Sequence, residues 1–232
     1  SQIYINDTNP NLGAMLENLV AALGPPLTPG DGNAIIANRP PVNVVNGRTV
    51  GGYLTKEQIK IVPGFTETKY KAIKDYITVY AFIDLDVINP QDTVTPYAAS
   101  PRAPINVNTA SKEVLFAVLK GISDGTNSIS ESEANELAQH LINGRSYSTY
   151  DELWIRLLTA ETLEMIGTGD AAVAMANANP NTDLMRANPN YTWRYKHISK
   201  EGYDSSGVPE AVDKTMLTSS TTEFCFNSGG YY

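Results

Sequence analysis

Four side chains that offer oxygen ligands lie close together near the middle of the chain: Asp84, Asp86, Asn89 and Asp92. Carboxylate and amide oxygens are the ligands that Ca²⁺ prefers. A calcium loop of the EF-hand kind also needs a glycine at its turn and a glutamate at its end, and this stretch has neither. The stretch is therefore a candidate calcium site with an incomplete ligand pattern, and a solvated acidic loop is the alternative.

Groups that usually carry nucleophilic or zinc-dependent catalysis are sparse in this chain. Its only histidines, His140 and His197, are far apart in sequence, and Cys225 is its single cysteine. This spacing matches neither a zinc site nor a Cys–His nucleophile pair. No Walker-type glycine loop and no serine nucleophile elbow occur. The sequence therefore indicates no enzyme and no cofactor beyond the calcium left open above.

Helix-capping sequences predict the elements that would position a site. Residues 55–58, 130–133 and 149–152 each begin with Ser or Thr and end with Gln or Glu, which is the pattern of a capping box. The Pro63–Gly64 break, followed by Thr66, divides residues 55–80 into a helix-hairpin-helix in outline. Further helix starts are predicted at Asn9–Pro10, Thr109 and near Thr159, and helix ends are predicted at Gly24 and Gly144.

The stretch Ile105-Asn-Val-Asn-Thr-Ala110 leads from an extended segment into the helix predicted to be capped by Thr109. Asn106 and Asn108 carry short polar side chains that can bond the nearby backbone. We therefore expect these two residues to hold a sharp corner between strand and helix.

Helix-hairpin-helix modules bind DNA phosphates through backbone N–H groups at the start of the second helix. Three candidate hairpins occur, at residues 63–65, 120–125 and 167–170, but the last two carry Asp124 and Asp170 where a phosphate would sit. Residues 101–167 contain five Lys or Arg and nine Asp or Glu, and the whole chain has a formal charge of -8. Acidity disfavours nucleic-acid binding. A packing motif that has lost its ligand is the alternative to phosphate binding.

Strand-like segments lie at both ends of the chain and helices lie between them. Residues 3–5 and 222–226 are predicted to share one sheet, with a further strand over 77–88 and long loops over 25–52 and 89–104. The helices are expected to share one core that contains the following residues: Leu115, Val118, Leu119, Leu137, Leu141, Leu153 and Leu157.

This order predicts an α+β fold with two parts. Residues 1–53 and 177–232 would form a sheet-containing part, and residues 54–176 would form a mostly helical insertion with helix-hairpin-helix or SAM-like units. At 232 residues the chain is long enough for one large domain or two small ones.

Five segments, taken in order, resemble the large K-type minor pseudopilins of type II secretion and the related minor pilins of type IV pilus assembly. The segments are residues 5–12, 54–59, 76–79, 105–110 and 220–226. The 105–110 entry by itself also resembles helix-hairpin-helix DNA-binding modules, so the ordered set carries the likeness. The long loops favour a pilus-assembly relative over a standard secretion-system member.

The resemblance implies a pilin-like sheet interrupted by the helical insertion, and a structural role at the tip of a periplasmic filament. It implies an inner-membrane anchor formed by an N-terminal hydrophobic helix, with this ectodomain in the periplasm. The strand-like chain ends and the lack of a bilayer-spanning apolar run in the sequence fit an excised ectodomain. Calcium is known in some members, but no ligand can be carried over to this sequence.

The implied partners are smaller minor pilins or pseudopilins that function in protein transport, with no nucleic acid and no small-molecule substrate. Aromatic side chains in the sheet-forming ends are the candidate partner contacts, and each of them also fits a core position: Tyr191, Trp193, Tyr195 and Phe224. A helix-hairpin-helix DNA-binding protein of the uptake or repair kind is the alternative function.

Overall fold

The computed structural model describes residues 1–7, 11–45, 48–80, 82–84, 100–102, 105–123, 125–147, 150–178 and 224–225. These residues form a mixed fold of helices and short strands. The helices are α1 (Leu12–Leu23), α2 (Asp31–Ala37), a 3₁₀ helix (Lys56–Ile61), α3 (Glu67–Ile73), α4 (Lys112–Leu119), α5 (Glu131–Asn143), α6 (Tyr150–Thr162) and α7 (Asp170–Ala178). The strands are β1 (Ile3–Tyr4), β2 (Val42–Val45), β3 (Arg48–Gly51), β4 (Ile77–Thr78), β5 (Phe82–Asp84), β6 (Ser100–Arg102), β7 (Ile105–Asn106) and β8 (Phe224–Cys225).

Local capping chemistry sets the starts of several helices. Ser130 and Glu133 form the predicted capping box of α5, and Gly144 ends that helix. Thr66 caps α3 by accepting a hydrogen bond from the N–H of Lys69. The Thr55 capping box is also confirmed, although the helix that it starts is a 3₁₀ helix.

Three predicted helix boundaries are wrong. The cap of α4 is Ser111 rather than Thr109, since the Ser111 hydroxyl accepts from the N–H of Val114. Thr159 starts no helix, since it lies inside α6, where its hydroxyl donates to the Ile155 carbonyl. The next helix begins at Asp170. Asn11, not Asn9, precedes α1.

The described strands form four two-stranded ladders. β1 pairs with β4 and β7 pairs with β8, both in parallel, whereas β2–β3 and β5–β6 are antiparallel. The expectation that residues 3–5 and 222–226 share one sheet is therefore wrong for the described strands. Instead, the N–H groups of Ile3 and Ile5 donate to the carbonyls of Tyr76 and Thr78, 2.8 and 2.9 Å away.

The predicted long loop over residues 25–52 contains α2 and the β2–β3 hairpin. Glu17 of α1 caps α2, because its carboxylate accepts from the N–H groups of Gly30 and Asn33 at 2.9 and 2.6 Å. In the sequence, β2 and β3 are separated by Asn46 and Gly47, a pair typical of a two-residue hairpin turn. Because residues 25–52 are rich in Pro, Gly and Asn, the sequence analysis assigned them to a loop and missed both α2 and the hairpin.

A single hydrophobic core runs from β1 to α7. Helix α1 packs against both α2 and α4, and the Asn18 amide donates to the carbonyls of Ala117 and Lys120 at the end of α4. All seven residues predicted to share a core are buried in it. The core thus joins residues from the N-terminal part of the chain to the central helices.

Candidate functional site

The corner at residues 105–110 is held from three directions. The Asn106 side chain is buried, and its Oδ1 accepts from the N–H of Asn108 at 2.9 Å, as predicted. The Asn108 amide in turn donates to the carbonyl of Tyr147 and accepts from its N–H, each at 2.8 Å. On the other side, β7 pairs with β8, with Ile105 opposite Phe224.

Arg145 completes this corner from the connection between α5 and α6. Its guanidinium donates to the carbonyl of Val107 at 2.8 Å and also to the carbonyl of Ala110. Burial lowers the pKa of Arg145 from its ordinary value. The polar side chains of the corner and of Arg145 therefore hold the backbone of residues 105–110 in place, which is a structural role.

The first candidate hairpin, residues 63–65, lies within residues 54–80, which contain five lysines and three acidic residues and are therefore mildly basic. Four of its five neighbouring lysines contact carboxylates: Lys60–Glu67 at 2.8 Å, Lys69–Asp31 at 2.8 Å, Lys71–Glu67 at 3.9 Å and Lys74–Asp75 at 2.9 Å. Lys60 also lies 4.5 Å from the centre of the Tyr70 ring. Protein carboxylates therefore neutralise much of the charge that a phosphate would need here.

Tyr70, in the helix α3 that follows this hairpin, is buried. Its hydroxyl donates to the Glu57 carboxylate at 2.7 Å. Burial, together with that hydrogen bond, raises the pKa of Tyr70 to about 12. The hydroxyl stays protonated at neutral pH and serves as a fixed donor to Glu57.

The second candidate hairpin is closed by its own backbone. The N–H of Gly121 donates to the carbonyl of Ile129 at 2.7 Å, and the N–H of Ile129 donates to the carbonyl of Ile122 at 2.9 Å. Lys120 next to it pairs with Glu131 at 2.7 Å. Asp124, which sequence reasoning placed at the phosphate position, lies outside the described residues.

The third candidate hairpin, residues 167–170, already has anionic groups at its amides. The N–H of Gly167 donates to the carboxylates of Asp170 and Glu133, 2.9 and 3.1 Å away. The N–H of Ala171 donates to the Glu161 carboxylate at 3.3 Å. Hydrogen bonds from Ser130 lower the pKa of Glu133, and the Gly167 amide adds to this effect. Carboxylates of the protein thus occupy the place of a phosphate.

The remaining candidate residues fall mostly outside the described part of the chain. Asp84 is the last residue of β5, whereas Asp86, Asn89 and Asp92 are not described. Among the described residues, no group of three or more His, Cys, Asp or Glu side chains is placed to hold a metal ion. The candidates Tyr191, Trp193 and Tyr195 are also not described, and Phe224 lies in β8.

Sequence reasoning missed three residues that organise the corner and the core: Arg145, Tyr147 and Asn18. Each bonds a partner more than 30 positions away. No local pattern marks such residues, because an isolated arginine or asparagine is normal on a surface. The Asn-Val-Asn spacing was the only local signal, and it identified just the near half of the corner.

No family model, curated protein or solved structure matches this chain. Within the described residues, none of the helices combines the length and the apolar character needed to cross a membrane.

Proposed function

We propose that this protein is a structural subunit of the minor pilin or pseudopilin kind. It would initiate or cap a periplasmic filament of a type II secretion or type IV pilus system through contacts with smaller pilin-like subunits. The proposal includes a pilin-like character for the part formed by the chain ends. It also includes attachment to the bacterial inner membrane through the N-terminal helix that the resemblance implies.

The observation that carries the proposal is the ordered set of five segments that resemble this family. Residues 1–7 contact segments 76–79 and 105–110 directly and also bond the residue that precedes segment 54–59. The Asn6 amide donates to the Tyr53 carbonyl at 2.8 Å and accepts from the Tyr53 N–H at 2.9 Å, immediately before segment 54–59. β1 pairs with β4, which begins within segment 76–79.

Segment 105–110 joins the same group. The N–H of Asn106 donates to the Ser1 hydroxyl at 3.0 Å, and Phe224 and Cys225 of segment 220–226 pair with this segment through β7–β8. Residues in or next to four of the five segments therefore lie around the N-terminal residues 1–7, and β8 joins them through β7. This proximity is compatible with a common structural origin of the likenesses, and the resemblance itself is the basis of the proposal.

The hairpins disfavour the DNA-binding alternative. A phosphate needs free N–H groups and positive charge at the hairpin. At residues 167–170 the N–H of Gly167 donates to both Asp170 and Glu133, and most lysines near residues 63–65 contact carboxylates. A phosphate would have to displace these groups.

Two parallel binding experiments test the proposal. The protein is mixed with the ectodomains of the pilin-like subunits from its own organism, and complex formation is measured by size-exclusion chromatography with light scattering. Duplex and single-stranded DNA are titrated separately at low and high salt. We expect a complex of fixed stoichiometry with pilin-like subunits and no DNA complex below millimolar concentration. Micromolar DNA binding with a steep salt dependence would instead establish the alternative.

A further inference from the structure

Helix α6 has a second apolar face, directed away from the core. Its inner face is buried through Leu153, Leu157 and Ala160. On the outer side, Ile155 and Leu158 are 63% and 38% exposed. Leu163 is 56% exposed and continues the helical pattern, since its N–H donates to the Thr159 carbonyl at 3.0 Å.

Two threonines between these residues extend the apolar surface. The Thr159 hydroxyl donates to the Ile155 carbonyl at 2.8 Å, and the Thr162 hydroxyl donates to the Leu158 carbonyl at 2.9 Å. Both hydroxyls therefore donate within their own helix, so that neither needs a hydrogen-bond acceptor from a binding partner. Residues 155, 158, 159, 162 and 163 form one stripe, about 12 Å long at 1.5 Å per residue. We call it the α6 stripe.

A cleft opens beside the N-terminal end of the α6 stripe. It has a volume of about 290 Å³, and its lining includes Ile155, Thr159, Gly144 and Tyr147. This volume is enough for one large side chain of a partner. Binding surfaces commonly combine an apolar stripe with a pocket of this size for an anchor residue.

The charges around the α6 stripe restrict its partner. Residues 150–164 contain four acidic side chains and one basic side chain, Arg156. The Arg156 guanidinium donates to the His140 carbonyl at 2.8 Å, so it is directed into the fold, whereas Glu152 and Glu164 are exposed. A second copy of this chain would bring like charges together, and the formal charge of -8 adds to that repulsion.

We propose that the α6 stripe binds an amphipathic helix of another protein, with an apolar stripe flanked by lysines or arginines. A helix fits because its ridge of side chains can lie along the stripe and place one anchor in the cleft. The basic flanks would face the acidic side chains of residues 150–164. This surface belongs to the helical part of the chain and does not depend on the proposed filament function.

The test uses a designed 18-residue peptide in which leucines recur at helical spacing and the other positions are lysine. Binding is measured by fluorescence anisotropy. One control peptide has the same composition in scrambled order, and another has glutamate in place of lysine. We expect micromolar binding of the first peptide alone. The double substitution Ile155→Gln/Leu158→Gln is expected to weaken it at least tenfold.

The matched control is Leu54→Gln/Ile61→Gln, which removes two aliphatic side chains that are 72% and 78% exposed elsewhere. It should leave the affinity within twofold, with unchanged melting temperatures for both variants. Equal binding of the scrambled peptide, or equal loss in the control variant, would overturn the proposal. A wild-type dimer that Ile155→Gln dissociates would also overturn the proposal, because the stripe would then bind a second copy of the chain. Protection of an Ile155→Cys thiol from maleimide in the monomer would overturn it too, because the chain itself would then cover the stripe.

Discussion

Buried amide side chains join segments that are distant in sequence. Asn6 bonds both backbone groups of Tyr53, and Asn108 bonds both backbone groups of Tyr147. Such a side chain offers a donor and an acceptor at a fixed separation. Its removal leaves two backbone groups without their partner, so a single amide can determine how two segments meet.

Gly52 shows how closely the backbone approaches Asn6. Its φ is 76°, and a Cβ at this position would lie 2.4 Å from the Asn6 Oδ1. Asn6 is 3% exposed and cannot move aside without losing its bonds to Tyr53. We predict that Gly52→Ala lowers the free energy of unfolding by about 3 kcal/mol, measured by urea denaturation.

Gly64 provides the matched control for this prediction. Its φ is 78°, but a Cβ there would meet no atom within 4 Å. Gly64→Ala should therefore cost only the backbone strain of the left-handed conformation, about 1 kcal/mol. Equal losses for the two variants would show that the contact with Asn6 contributes nothing.

His140 makes the stability of the protein depend on pH. The side chain is 6% exposed, its Nε2 lies 3.2 Å from the Arg156 carbonyl oxygen, and the Arg156 guanidinium donates to the His140 carbonyl. Burial lowers the pKa of His140 below 6.5, and the positive charge of Arg156 acts in the same direction. The neutral imidazole is thus the form that fits the fold.

Because this pKa is lower in the folded chain, the unfolded chain binds more protons below pH 6.5. The contribution of His140 to stability is complete above pH 6.5 and is lost as pH falls through the folded pKa. The slope is at most about 1.4 kcal/mol per pH unit. We predict that His140→Gln makes the free energy of unfolding, measured by urea denaturation, depend less steeply on pH between pH 7.5 and 5.5. His197→Gln, at the other histidine, is the comparison variant, and an equal flattening by it alone would mean that the slope does not come from His140.

At the scale of elements, most helix starts set by neighbouring residues could be predicted, although the local cap of α4 was misplaced by two residues, and the start set by a distant residue could not. The caps at Thr66 and Ser130 use residues three positions ahead. Helix α2, by contrast, has seven residues, and its cap is supplied by Glu17 from α1. A short helix with a distant cap carries no signal in its own window.

The calcium and aromatic partner candidates outside the described residues stay predictions.

The start of α4 offers a direct comparison between the predicted cap and the observed one. The Ser111 hydroxyl accepts from the N–H of Val114, whereas the Thr109 side chain is exposed. We predict that Ser111→Ala lowers the free energy of unfolding by about 1 kcal/mol. Thr109→Ala should change it by less than about 0.5 kcal/mol. Thermal melts of both variants decide between the two caps, and a larger loss for Thr109→Ala would reverse the assignment.

At the scale of the whole molecule, the core connects the parts that sequence analysis separated at residue 53. Helix α1 belongs to the first part, yet its Asn18 donates to the end of α4 in the second. Leu16 and Leu19 of α1 are buried in the same cluster as Leu137 and Leu141 of α5. A shared core of this kind makes each part depend on the other for the burial of its apolar surface.

We therefore predict that the chain unfolds in a single transition that includes both parts. Leu19→Ala in α1 and Leu141→Ala in α5 should each lower the free energy of unfolding by about 3 kcal/mol, because each leaves a cavity in the common core. Urea unfolding followed by circular dichroism and by tryptophan fluorescence should give coincident curves for each variant. Leu54→Ala, at a side chain that is 72% exposed, is the control and should cost less than about 0.5 kcal/mol. A biphasic curve, in which Leu19→Ala moves one phase and Leu141→Ala the other, would mean that residues 1–53 and the central helices fold separately despite their contacts.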